Sequence, residues 1–179
     1  MDSLNEYFEG YPSQLKVANL LFARGIKVIG GKAYCGEIEQ TDSAIGRAAD
    51  VDRRVVHATL ARISSVPELD TIFSKLECML SMEYIAPEIG CSSLTIEPTD
   101  AKMSGILSGV MNIIYKHGLS VRQAMVDDKG KREDSVLTVV IDGSLPPGLI
   151  TELESCRGVS RIILNVKSKT DQTNLTAVP

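Results

Sequence analysis

"AIGRAADVDRRVVHATLARI", residues 44–63, sets two helical patterns side by side with only Asp50-Val51-Asp52 between them. Ile45, Ala48 and Ala49 give the first pattern an apolar face of small side chains, which lets a second helix cross closely. Val51 plugs the turn. Asp52 is a good N-cap, because its carboxylate accepts a backbone N–H and suits the positive end of a helix dipole. In the second pattern Val55, Val56, Thr59, Leu60 and Ile63 gather on one side at 100° per residue. Arg54, His57, Ala58 and Ala61 gather on the other, flanked by Arg53 and Arg62. Cations at the ends of an exposed face with small residues between them suit a helix lying in a major groove. The candidate DNA-binding residues are therefore Arg53, Arg54, His57 and Arg62. A plain helical hairpin with a charged outer face remains the alternative, since Asp50 stands where such a turn usually has Gly.

Working outward, "PSQLKVANLLFARGI" (12–26) is a helix begun by Pro12 and Ser13, with Leu15, Ala18, Leu21 and Phe22 on one face. "KVIGGKAYCGEIE" (27–39) turns at Gly30-Gly31 as a small hairpin. Thr41 and Asp42 offer an N-cap to the helix that follows. "VPELDTIFSKLECML" (66–80) adds a helix with Leu69, Ile72, Phe73 and Leu76 as its stripe. "EYIAPEIGCS" (83–92) reads as a connector.

From residue 92 onward the patterns alternate in the order βαββαβ. The strands are "SSLTIEP", "LSVRQAMVD", "SVLTVVIDG" and "VSRIILNV"; the helices are "KMSGILSGVMNIIYKHG" and "PPGLITELESCRG". This is the ferredoxin-like split βαβ order. The fold class is α+β, with a helical, helix-turn-helix-like domain over 1–90, a ferredoxin-like domain over 91–166 and a loose tail over 167–179. "DDKGKRED" (127–134) is a charged turn. Two helices cover only one sheet face, so the apolar runs in "VLTVVI" and "RIILNV" lead us to expect a homodimer or higher oligomer through this half.

Charge and composition exclude several classes. The chain has 179 residues and a net charge of −4. Residues 1–90 hold 9 basic and 13 acidic side chains, and the remainder 10 of each. Neither half is a basic clamp for nucleic acid, so any DNA contact must be local. Cys35, Cys78, Cys91 and Cys156 show no metal spacing, which leaves free thiols in a reducing compartment. No nucleophile–base set, P-loop or G-x-G-x-x-G is present, so neither an enzyme nor a cofactor is expected. Asp2, Glu6 and Glu9 interrupt any leader, and no apolar run approaches the ~20 residues of a membrane span. A soluble, cytoplasmic protein is expected.

The region Ser92–Val166 resembles an ACT domain, a small amino-acid-sensing module. "DAKMSGILSGVMNIIYKHGLSVRQAMVDD" carries the resemblance: Gly105 matches the glycine at the helix start, and Gly118-Leu119-Ser120-Val121 matches the second motif. Ser104 replaces the usual Pro, Lys102 stands at the acidic or amide position with Asp100 two residues before it, and Ser120 replaces the usual Asn. Residues 12–166 as a whole are similar to predicted archaeal regulators of amino acid metabolism, most specifically in "VDRRVV" and "VRQAMVDD". The resemblance implies an amino acid effector bound at an ACT dimer interface and a transcriptional role. The alternative is a regulatory subunit that docks a metabolic enzyme instead of DNA. Physically, the loop 99–106 ends at a helix N-terminus, where free N–H groups favour a carboxylate. Asp100 can meet an α-amino group. The candidate amino-acid-binding residues are Asp100, Lys102, Met103, Ser104, Gly105, Ile106, Ser120 and Gln123; an empty strand-to-helix turn is the competing reading.

Overall fold

In a computed structural model, residues 2–127 and 135–166 are described; the charged turn expected at 127–134, beyond Asp127, and the tail expected over 167–179 lie outside them. The protein is mixed α+β, with seven helices and two antiparallel sheets among the described residues. It divides into two compact units, Met1–Leu80 and Ser81–Pro179. No helix among the described residues is long and apolar enough to cross a membrane.

The first unit runs α1 (Asp2–Tyr7), α2 (Pro12–Ala23), β1 (Lys27–Ile29), β2 (Lys32–Cys35), β3 (Ile38–Gln40), α3 (Asp42–Ala49), α4 (Arg53–Ser65) and α5 (Pro67–Phe73). Glycines at 30 and 36 turn the chain twice, so the expected hairpin becomes a three-stranded sheet in the order β1-β2-β3. Val17, Ala18 and Leu21 of α2, Val56, Leu60 and Ile63 of α4, and Leu69 and Phe73 of α5 form one core. Phe22 meets Phe73 edge to face at 6.3 Å between ring centroids. The polar Thr59 sits in this core because its hydroxyl donates to the Val55 carbonyl at 2.7 Å. Ile45 and Ala49 of α3 are buried as expected, but Ala48 faces solvent and the third buried position is Gly46.

In the second unit β4 (Cys91–Pro98), α6 (Ile106–Lys116), β5 (Val121–Asp127), β6 (Val136–Asp142), α7 (Leu149–Glu154) and β7 (Val159–Asn165) follow in the order βαββαβ. The sheet order is β5-β6-β4-β7, antiparallel throughout. Leu94 and Ile96 of β4 and Leu137, Val139 and Ile141 of β6 point to one face, where Val110 and Ile114 of α6 and Leu149 and Leu153 of α7 close the core.

The other face is not bare. The segment before β4 crosses it, with a short 3-10 turn over Ala86–Ile89. Met82 N donates to Gln123 Oε1 on β5 at 2.8 Å. Glu83 Oε1 accepts from Thr95 Oγ1 on β4 at 2.7 Å, and its carbonyl accepts from Asn165 Nδ2 on β7 at 2.8 Å. Ala86 and Met82 cover Val140. The stretch read as a connector is thus a strap tied to three strands. Exposed apolar side chains in this sheet instead include Ile163 and Leu164 on the edge strand β7 and Val126 on the opposite edge.

Candidate functional site

In the first unit the residues converge where α3 and α4 begin. Thr41 Oγ1 caps α3 by accepting from Ala44 N at 3.2 Å. The helix stops at Asp50, whose φ of 51° is the left-handed conformation usually given to Gly. Asp carries it because its short polar side chain tolerates that region better than most. Val51 N then returns to the Gly46 carbonyl at 2.9 Å. Asp52 caps α4, its Oδ1 accepting from Arg54 N at 2.8 Å. A Cβ at position 46 would stand 2.9 Å from the Val51 carbonyl oxygen, so only Gly lets the turn lie this close to α3.

This turn aims the first two turns of α4 into an open groove of about 580 Å³, lined by Lys32, Gln40, Asp42, Ser43, Arg53, Arg54 and His57 among others. Its acids are already engaged. Glu39 pairs with Lys32 at 3.0 Å, and that hydrogen bond and charge raise the Lys32 pKa above its usual value. Asp42 Oδ2 lies 3.3 Å from His57 Nδ1. Arg53 and Arg54 have no carboxylate partner among the described residues. Both are exposed, as are Ala58 and Ala61 further along. The structure therefore brings Arg53, Arg54 and His57 together and leaves Arg62 apart. The Arg62 guanidinium stacks over Tyr11 at 4.4 Å and Phe8 at 5.6 Å from the ring centroids. Lys32 and Gln40, absent from the expected set, complete the groove; only the folding of β2 and β3 beside α4 reveals them.

In the second unit the loop before α6 is held by its own backbone. Asp100 Oδ1 accepts from Lys102 N at 2.8 Å and the Asp100 carbonyl accepts from Met103 N at 3.0 Å. Gly105 opens α6 at φ 92°, a conformation that costs Gly nothing, and no side chain caps the helix. Beneath the loop lies a cavity of about 160 Å³, to which Met103, Gly105 and Ile106 contribute. Asp100, Lys102 and Ser104 are exposed on the loop beside it. Ile96, Pro98, Val126 and Leu137 complete the wall, and the alternating strand pattern was the available signal for them.

Ser120 and Gln123 do not join this cluster. Ser120 follows the far end of α6, roughly 16 Å away for 11 residues at 1.5 Å each. Its carbonyl accepts from Asp142 N at 3.0 Å. Gln123 pairs with Val140 in the register, on the strapped face, and holds Met82. Among the described residues no group of three or more His, Cys, Asp or Glu side chains is placed to hold a metal.

Fold and site thus define a two-unit mixed α+β protein, with two helices joined by a short turn beside a three-stranded sheet in one unit and a four-stranded antiparallel sheet in the other. No protein-family model matches the chain, and no curated protein matches it. Among solved structures, the crystal structure of PH0061, an archaeal protein, is similar at 10% identity over 73% of this chain and 82% of that one, with a TM-score of 0.28. A likeness that slight carries no argument about function.

Proposed function

We propose that this protein is an amino-acid-responsive regulator. Its first unit binds DNA through α4, its second has an ACT-type arrangement that binds the effector beside loop 99–106, and two copies pair through the second unit. The observation that carries the reading is the pair Arg53 and Arg54. They stand unpaired on the first turn of a capped helix, at the mouth of a groove whose acids are already engaged. A recognition helix meets DNA with this turn.

The test is a fluorescence-anisotropy titration with fragments from upstream of the protein's own gene, at two salt concentrations, with and without amino acids. Wild type binds at low salt, and the Arg53→Ala, Arg54→Ala double variant loses affinity and flattens the salt slope by about one per phosphate contact removed. Equal binding by wild type and double variant, or none by either, refutes the DNA reading. A regulatory subunit that docks an enzyme then becomes the better reading. It is favoured by the acidic balance and, on the second unit, by exposed Tyr84 and Ile85.

A further inference from the structure

We infer that the effector is an amino acid with a branched aliphatic side chain of about four carbons, and that this chain enters the cavity between α6 and the sheet. The inference rests on the effector reading above and names its ligand class. Ile96, Pro98, Met103, Ile106, Val126 and Leu137 form most of the wall. Among the described residues no charged side chain lines it, and Ser135 alone contributes a polar side-chain atom. Such a lining favours an apolar side chain over a polar or charged one, which gives up hydration against these walls.

Size narrows the class further. The cavity measures about 160 Å³. An apolar protein cavity of roughly 150 Å³ has room for a benzene ring. A leucine or isoleucine side chain fits that space, an indole exceeds it, and an alanine methyl leaves most of it empty. The rim supplies the complementary end. Gly105 and the start of α6 border the cavity, and the first-turn N–H groups there have no side-chain cap. A carboxylate at the rim meets those groups while the aliphatic chain points inward, so one molecule satisfies both features.

The test is a thermal-shift and calorimetric comparison on the full chain, using leucine, isoleucine, valine and alanine against aspartate, lysine and tryptophan, with 4-methylpentanoate and isopentanol as partial ligands. Leucine and isoleucine are expected to raise the Tm. Alanine binds roughly fiftyfold more weakly than leucine, at about fourfold per buried methylene. Isopentanol, without the carboxylate, gives no shift at equal concentration. Ala101→Leu, which puts a branched chain at the cavity wall, abolishes the leucine shift. Should that variant fail to fold, Val126→Phe, at an exposed wall position, is expected to do the same. A shift with aspartate, lysine or tryptophan and none with leucine overturns the inference while the effector reading stands. A leucine shift that survives in both variants places the ligand elsewhere and likewise overturns it. No shift with any amino acid overturns both.

Discussion

Gly46→Ala reverses the ordinary effect of removing a glycine from a helix. In an exposed helix interior, Ala is better than Gly by about 1 kcal/mol. Position 46 is buried in α3, and the added Cβ would lie 2.9 Å from the Val51 carbonyl oxygen, 3.5 Å from Arg53 N and 3.6 Å from Arg53 Cα. All three contacts are backbone, so no rotamer change relieves them. Overpacking of this kind costs about 1–3 kcal/mol. Opening the turn also strains the 2.9 Å bond from Val51 N to the Gly46 carbonyl, worth about 1 kcal/mol. Set against the propensity gain, the net is a loss of roughly 1–2 kcal/mol. Ala48→Gly is the matched control: it sits on the exposed side of the same helix and loses about 1 kcal/mol by propensity alone. Opposite changes in one short helix should therefore both destabilise. Urea titration reads this as a fall in midpoint of about 0.5–1 M for Gly46→Ala at an unchanged slope near 2 kcal/mol/M. A midpoint that rises for Gly46→Ala while falling for Ala48→Gly would refute the close packing of this turn.

Three further outcomes follow from single contacts. Asp52→Ala removes the cap on Arg54 N and costs about 1 kcal/mol of stability, measured in the same urea titration; no change means the cap is not formed in solution. Ser93→Ala removes a buried hydroxyl with no hydrogen-bond partner among the described residues, and should be neutral to stabilising by about 1 kcal/mol in thermal melts; a clear loss would reveal a partner such as a bound water. Hydrogen bonding with the Cys35 thiol, then burial, raises the Cys78 pKa above the usual thiol value. Less thiolate is then present at neutral pH, so iodoacetamide should label Cys78 more slowly than a free thiol, with Cys35→Ala speeding it; equal rates in both forms would contradict the pairing.

What the sequence revealed and what it concealed divide along one physical line. Local features were legible. Thr41 and Asp52 are capping residues and cap; Val56, Leu60 and Ile63 recur at helical spacing and are buried. The β and α patterns after residue 91 fall in the observed order. Features decided by distant partners were not legible. Arg62 was placed with the groove by its angle on α4, yet its guanidinium is drawn to Tyr11 and Phe8 on another segment. Gln123 was placed near loop 99–106, but the register shift between Val121 and Gln123 and its pairing with Val140 put it on the strapped face. Ser120 is near the loop in motif but is separated from it by the full length of α6. The strap was hardest to see, because Glu83 and Asn165 lie 82 residues apart and neither carries a pattern pointing to the other.

The same accounting of partners explains how an acidic chain can present a cationic groove, and it yields a test. Of the acids nearest the start of α4, Asp52 accepts from Arg54 N, Asp42 faces His57, Glu39 holds Lys32 and the exposed Asp50 lies 3.5 Å from Lys16. The first two are tied to helix geometry; the third is an exposed ion pair and contributes little to folding. Glu39→Gln should therefore leave stability nearly unchanged while releasing the Lys32 charge into the groove. The Lys32 pKa then falls back toward its usual value, which still leaves it protonated at neutral pH, so the net effect is one more free cation. If α4 meets DNA as proposed, affinity rises at low salt and the salt slope steepens by about one. The advantage shrinks as salt rises, because the Debye length falls from ~10 Å at 0.1 M to ~3 Å at 1 M. Anisotropy titrations of wild type and variant at several salt concentrations read both quantities together. Weaker binding by Glu39→Gln at every salt would show that the carboxylate itself faces the ligand. Glu39 would then accept from a base edge such as cytosine N4, and the view of it as a carboxylate that only restrains Lys32 would fail.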